Sequence, residues 1–279
     1  MSDLDELVRR ALAEDAPWGD ITSEAFLPED AVAAADLSAR EPGVLSGIEV
    51  FARAFAMGGA VVSAAAVDGS RFATGDVLAR VTGPAHAVLR TERVALNLVQ
   101  RMSGIATETA RYVEAVEGTG ARIVDTRKTT PGLRTLERQA VRDGGGHNHR
   151  FSLSDAVLAK DNHLAVLEAA GVPVGEAIRR ARERIGHTMH LEVEVDRLDQ
   201  VEEVVAAGVD TIMLDNFSLD DLRAGVALVS GRALVEASGG VTLGTVGAIA
   251  ATGVDLISVG ALTHSVRALD LGLDLEVSG

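Results

Sequence analysis

The chain has 279 residues, 47% of them hydrophobic and 24% charged, with a formal net charge of −15. That is globular composition, long enough for one large α/β domain or two smaller ones, and it excludes a disordered or fibrous chain. The acidic balance argues against a general nucleic-acid binder, and the absence of cysteine excludes a disulfide framework, a thiolate nucleophile and cysteine-ligated zinc.

In chain order, the acidic, amphipathic start predicts a helix near residues 3–13, followed by the loop Ala16-Pro17-Trp18-Gly19-Asp20. No basic segment leads into an apolar one there, and no apolar run reaches membrane-spanning length. A soluble, cytoplasmic protein with no membrane contact is the expectation. Short β-like runs at 31–38, 43–47, 61–67 and 76–82 alternate with Gly and Asp turns. One long helical pattern then covers 89–116, with an interruption expected at Ser103-Gly104.

Past residue 121 the rhythm changes. Apolar β-branched runs at 122–125, 156–160, 190–195, 211–215, 233–237 and 255–259 alternate with helical patterns at 174–185, 196–207, 219–229 and 244–251. Strand–helix alternation with apolar strands predicts a parallel sheet covered by helices. Six strands are too few for a regular eight-stranded barrel, so an irregular, incomplete parallel α/β barrel is expected, with an open doubly wound sheet as the alternative.

Polar residues collect at the C-terminal ends of these strands, the edge where parallel α/β folds bind ligands. They are Asp125-Thr126-Arg127-Lys128, Lys160-Asp161-Asn162-His163, Glu192 and Glu194, Asp215-Asn216, Ser238-Gly239-Gly240, and Gly260. Lys128 and Lys160 are the only lysines among 26 basic residues, which raises the question of what arginine could not do there; two chance surface lysines are the alternative reading. Residues 122–163 hold eight Lys/Arg against five acids, a basic island suited to a focused anion. Within it, Arg134, Arg138 and Arg142 read equally well as a solvated helix stripe.

The stretch Gly144-Gly145-Gly146-His147-Asn148-His149-Arg150 lets backbone approach a ligand and then delivers two imidazoles and a guanidinium. No third ligand follows His147 and His149 at helical spacing, which argues against zinc. Ser238-Gly239-Gly240 and Gly260 precede helical segments and, beside the basic island, point to a phosphorylated ligand. Glu194 and Asp215, expected at matching heights on adjacent strands, have three readings. They could hold Mg²⁺ through water, stabilise a developing oxocarbenium ion, or serve as structural partners for the lysines.

Asp125-Thr126-Arg127-Lys128-Thr129-Thr130-Pro131-Gly132-Leu133-Arg134, the Gly144–Arg150 stretch, Leu158-Ala159-Lys160-Asp161-Asn162-His163 and Leu214-Asp215-Asn216 resemble the quinolinate phosphoribosyltransferase family. Arg90-Thr91-Glu92-Arg93 and Gln100-Arg101-Met102-Ser103-Gly104 match it upstream, and the resemblance spans nearly the whole chain. It implies transfer of phosphoribosyl from phosphoribosyl pyrophosphate to quinolinate with loss of CO₂, giving nicotinate mononucleotide and pyrophosphate on the route to NAD. It also implies an N-terminal α/β sandwich (1–105, joined by 265–279), a barrel domain (106–264), and a homodimer with shared active sites.

By the same resemblance Arg127, His149, Arg150 and Lys160 receive the quinolinate carboxylates, with Arg93 from the neighbouring subunit. Lys128 and Lys160 contact the ribose pyrophosphate; Glu194 and Asp215 meet the ribose hydroxyls or Mg²⁺; Ser238, Gly239, Gly240 and Gly260 bind the 5′-phosphate. The implied catalytic set is Lys128, Lys160, Glu194 and Asp215. Three rivals stand beside it: a non-catalytic molybdenum-transport-associated homologue, an aldolase-like barrel using a lysine Schiff base, and a phosphoribosyltransferase acting on nicotinate.

Overall fold

The computed structural model describes residues 3–276. The elements run α1 (Asp3–Asp15), α2 (Ile21–Phe26), β1 (Val32–Ala39), β2 (Gly43–Val44), α3 (Ile48–Gly58), β3 (Val61–Ala64), β4 (Arg71–Phe72), β5 (Val77–Pro84) and α4 (Ala85–Ala115). Next come β6 (Arg122–Val124), α5 (Arg134–Asp143), β7 (Val157–Ala159), α6 (Asp161–Ala169), α7 (Val174–Arg184), β8 (Leu191–Val195) and α8 (Val201–Ala206). The chain closes with β9 (Thr211–Asp215), α9 (Leu219–Val229), β10 (Leu234–Ser238), α10 (Leu243–Ala250), β11 (Leu256–Ser258), α11 (Ala261–His264) and β12 (Leu271–Glu276). Among the described residues no helix is long and apolar enough to cross a membrane.

Two compact units emerge. One holds residues up to 110 with 130–145 and those from 265 onward; the other holds 111–129 and 146–264. In the first, an antiparallel sheet has strand order β12-β1-β5-β3, so the C-terminal strand pairs with the first one. Asp20 starts α2 by accepting backbone N–H bonds from Thr22 and Ser23, the usual N-cap device. Helix α3, flanked by left-handed Gly47 and Gly59, was not expected from the sequence; its Phe51 and Phe55 rings meet edge to face in the core.

The expected break at Ser103-Gly104 does not occur: α4 runs on through both residues. Both are there for packing. Ser103 exchanges hydrogen bonds with the Ser46 backbone, and a Cβ on Gly104 would lie 2.2 Å from the Arg267 carbonyl oxygen. Helix α5 also belongs to this unit. Arg138 is 8% exposed, which removes it from any solvated stripe, and the fully buried Glu137 accepts from Arg101 Nη2 at 2.8 Å.

The second unit is a six-stranded parallel sheet in the order β6-β11-β10-β9-β8-β7. That is sequence order taken round a circle and opened between β6 and β7, which is an incomplete α/β barrel. The free edge of β6 is partly covered by the glycine-rich segment: His147 N–H donates to the Ile123 carbonyl, and Asp125 N–H to that of His147.

Side chains alternate faces along a strand, and this sets the site. On β8, Leu191, Val193 and Val195 take one face while Glu192 and Glu194 take the other, all buried. Ile212 and Leu214 on β9 and Val235 and Ala237 on β10 share the apolar parity. Helix α9 lies so close over Leu214 that a Cβ on Gly225 would come within 2.6 Å of its Cδ1. The opposite parity carries Met213, Glu236, Ser238 and Ser258 into the cavity described next.

Candidate active site

A cavity of about 310 Å³ lies at the C-terminal side of the parallel sheet, lined among others by Thr126, Arg127, Lys128, His149, Arg150, Lys160, Glu236 and Ser238. Arg127, Lys128, Arg150 and Lys160 thus meet around one space although they come from three separate stretches of chain. The Arg127 Nε is buried with no hydrogen-bond partner. Burial, and then the neighbouring Arg127 charge, hold the Arg150 guanidinium below its ordinary range. Like charges packed this way are stabilised by an arriving anion, for which planar guanidinium groups offer paired donors.

Local structure holds these groups in place. The Lys128 N–H donates to Thr126 Oγ1, and Thr263 Oγ1 on α11 donates to the Lys128 carbonyl at 2.7 Å. Its aliphatic stem runs past Gly260, where an added Cβ would lie 3.1 Å from Lys128 Cδ and 3.0 Å from His264 Nε2. Lys160 follows β7, caps α6 by donating its N–H to His163 Nδ1, and extends Nζ to Glu194. His163, counted with the basic island in sequence, serves that helix start. His147 is exposed and pairs through its backbone.

His149 is held from every side. Buried Asp125 accepts its N–H at 2.7 Å and the Asn148 Nδ2 at 2.6 Å. Arg150 N–H donates to His149 Nδ1 at 2.8 Å, while Nε2 lies 3.1 Å from a Glu192 oxygen and 3.6 Å from a Glu236 oxygen. Burial opposes charge on this imidazole, but the Glu192 hydrogen bond and the Glu236, Glu192 and Asp125 charges outweigh it and raise its proton affinity. Below this layer is a second cavity of about 360 Å³, lined in part by Arg122, His190, Thr211 and Leu256.

Glu194 and Asp215 face a different, larger space of about 800 Å³ together with Asp161, Asp196 and Asn216. They do not stand at matching heights. Glu194 is in register with Met213 and Asp215 with Ser238, so Asp215 sits two residues further toward the sheet edge. Asn216, at φ 59°, donates from Nδ2 to Asp215 Oδ2 at 2.6 Å, and its backbone N–H donates to the Ser238 carbonyl. Beyond Ser238, Gly239 and Gly240 both take positive φ to turn the chain toward α10. Arg93 lies in the other unit, exposed on α4.

Sequence reasoning missed Glu236 because residues 233–237 read as an apolar strand run. The signal was present: an acid in the middle of a buried strand is rare unless it has partners.

The model of the quinolinate phosphoribosyl transferase C-terminal domain matches residues 105–274, and that of its N-terminal domain matches 20–103. The chain is 45% identical over 278 residues to the Mycobacterium leprae nicotinate-nucleotide pyrophosphorylase (carboxylating), covering 97% of this chain and 96% of that one. It is 40% identical over 295 residues to quinolinate phosphoribosyltransferase (decarboxylating) 2b, mitochondrial, of Nicotiana tabacum, covering 98% of this chain and 82% of the other. The crystal structure of NadC from Streptococcus pyogenes superposes with a TM-score of 0.93 at 41% identity, over 98% of this chain and 96% of that one.

Proposed function

Because this chain belongs to the quinolinate phosphoribosyltransferase family, we infer that it is the decarboxylating enzyme, which joins quinolinate to phosphoribosyl pyrophosphate and releases nicotinate mononucleotide, CO₂ and pyrophosphate in NAD biosynthesis. The family match and the relatives' names favour this over the transport-associated homologue. The observation that carries the site reading is the cavity in which Arg127, Lys128, Arg150 and Lys160 converge, with the Arg127 Nε unpaired. Quinolinate is a dianion with adjacent carboxylates, and such a cavity neutralises it.

In this reading Arg127, His149, Arg150 and Lys160 receive the carboxylates, and Arg93 of a second subunit completes the set in a homodimer. Lys128 and Lys160 meet the pyrophosphate, Glu194 and Asp215 the ribose hydroxyls, and Ser238, Gly239, Gly240 and Gly260 the 5′-phosphate. The pyridine nitrogen attacks C1 of the ribose as pyrophosphate leaves. The pyridinium charge then stabilises the carbanion left at C2 when the 2-carboxylate departs as CO₂, and a proton from solvent adds at C2 to complete nicotinate mononucleotide. Positioning, charge neutralisation and exclusion of water are what these residues contribute.

Glu194 and Asp215 fit a hydrated Mg²⁺: both are oxygen donors at the sheet edge, two residues apart in height, and that spacing suits contact through water. When bound with pyrophosphate, the ion supplies charge neutralisation on the leaving group. The deciding experiment incubates the protein with Mg²⁺, quinolinate and phosphoribosyl pyrophosphate, and follows CO₂ and nicotinate mononucleotide together. Turnover of nicotinate instead, without CO₂, or borohydride trapping of substrate on Lys128 or Lys160, would replace this reading with one of its rivals.

A further inference from the structure

We propose that Glu236 is a proton-holding, positioning residue of the quinolinate pocket: a buried carboxylic acid which, beside Glu192, fixes the His149 ring and adds no negative charge of its own to the pocket floor. The inference rests on reading this cavity as the quinolinate site.

Strand parity puts Glu236 on the interior face of β10, and only 1% of it is exposed. It lines both the cation-rich cavity and the cavity beneath, so with His149 and Arg150 it forms the partition between them. Arg122, His147 and His190 share the cavity beneath with it. His149 and Arg150 come from the segment after β6, with Arg127 and Lys128 sharing the cavity; β7 brings Lys160, β8 Glu192 and β11 the Ser258 hydroxyl. The paired strand β9 contributes apolar Met213.

His149 Nε2, Glu192 and Glu236 each place one polar atom within 4.8 Å of the other two, a spacing that would also suit a metal ion. The hydrogen bond at the other ring nitrogen decides against metal. A metal on Nε2 needs the imidazole hydrogen on Nδ1, but Nδ1 accepts the Arg150 N–H. The ring hydrogen therefore sits on Nε2 and points between two carboxylates. Each carboxylate also has one buried oxygen, Oε1, without a partner. Two buried carboxylates meeting at one donor repel each other when both are ionised, and a proton on Glu236 relieves that repulsion. Burial first, and then the Glu192 charge, push the Glu236 carboxyl up to about 8.

An ionised Glu236 would face an incoming dianion with like charge; the neutral acid does not. Quinolinate affinity is therefore coupled to this proton. Calorimetry between about pH 7 and about pH 9 should show wild-type affinity falling by up to about tenfold per pH unit once Glu236 titrates. Glu236→Gln, neutral and of the same shape, should bind at neutral pH within a few fold of wild type and lose most of that decline. A Gln-variant profile parallel to wild type overturns the inference.

Infrared difference spectra of the ligand-free protein supply an independent readout: a protonated carboxyl band at neutral pH that E236Q removes. Absence of that band overturns the inference, as does tight uptake of Mn²⁺ or Zn²⁺ that E236Q abolishes. If wild-type protein binds no quinolinate at any pH, the pocket assignment has failed instead, and the band alone decides whether Glu236 holds its proton.

Discussion

Lys160 Nζ donates to a carboxylate oxygen of Glu194, so one of the chain's two lysines is already tied across the neighbouring strands β7 and β8. Glu194 is nearly buried and Lys160 half exposed, which makes the carboxylate the anchor and the ammonium the arm. Glu194→Gln weakens that anchor and removes the charge read as facing the ribose. A loss of at least about tenfold in kcat/KM for phosphoribosyl pyrophosphate is expected, roughly 1.4 kcal/mol of transition-state stabilisation. Steady-state kinetics with each substrate varied in turn checks it.

Lys128→Arg should reduce turnover although charge is retained. The Lys128 stem passes close to Gly260, and a planar fork does not present the compact ammonium that lysine places there. Activity should fall about tenfold or more with an unchanged melting temperature. Wild-type turnover in this variant would remove the significance of the two lysines.

Gly239→Ala tests the turn after β10. At φ 92° an L side chain is strained, and its Cβ would lie 2.1 Å from Asn216 Oδ1, the residue that steadies Asp215. A loss of about 1–3 kcal/mol in urea unfolding is expected, together with weaker binding of phosphoribosyl pyrophosphate.

The shared-site reading predicts complementation. Arg93→Ala and Lys160→Ala homodimers should each be nearly inactive, and mixed dimers should regain one working site of two. No recovery in heterodimers verified by mass would show that Arg93 does not act across subunits.

Glu236 also makes a signed prediction for stability. Its folded value, about 8, lies above the ordinary 4.5, so the folded state holds a proton that the unfolded state has released. That contribution is fully present below about pH 4.5 and is lost as pH rises through about 8. Glu236→Gln should therefore gain in melting temperature relative to wild type as pH rises across that window, and level off above it. A difference independent of pH would contradict the assignment.

Much of the fold was legible because period and punctuation are local. Strand 211–215 and helix 219–229 were read with the bounds observed, the first from an apolar β-branched run and the second from its helical pattern. The Ser103-Gly104 break was misread because glycine's helix-breaking tendency is local, while its reason for being there, the approach of Arg267, is not. Helix α3 was overlooked between two glycines that end it cleanly.

The site divides the same way. The two lysines, Arg127 and Arg150 could be found from motif and composition, since charge at a strand end shows in one dimension. Three things could not: that four cations from three stretches share one cavity, that Asp215 stands two residues beyond Glu194, and that Glu192 and Glu236 meet at one imidazole nitrogen. Composition determined that lysine was kept at two positions. Strand register and barrel curvature decided which charges face one another, because only they bring residues 149, 192 and 236 close enough for a proton to be shared.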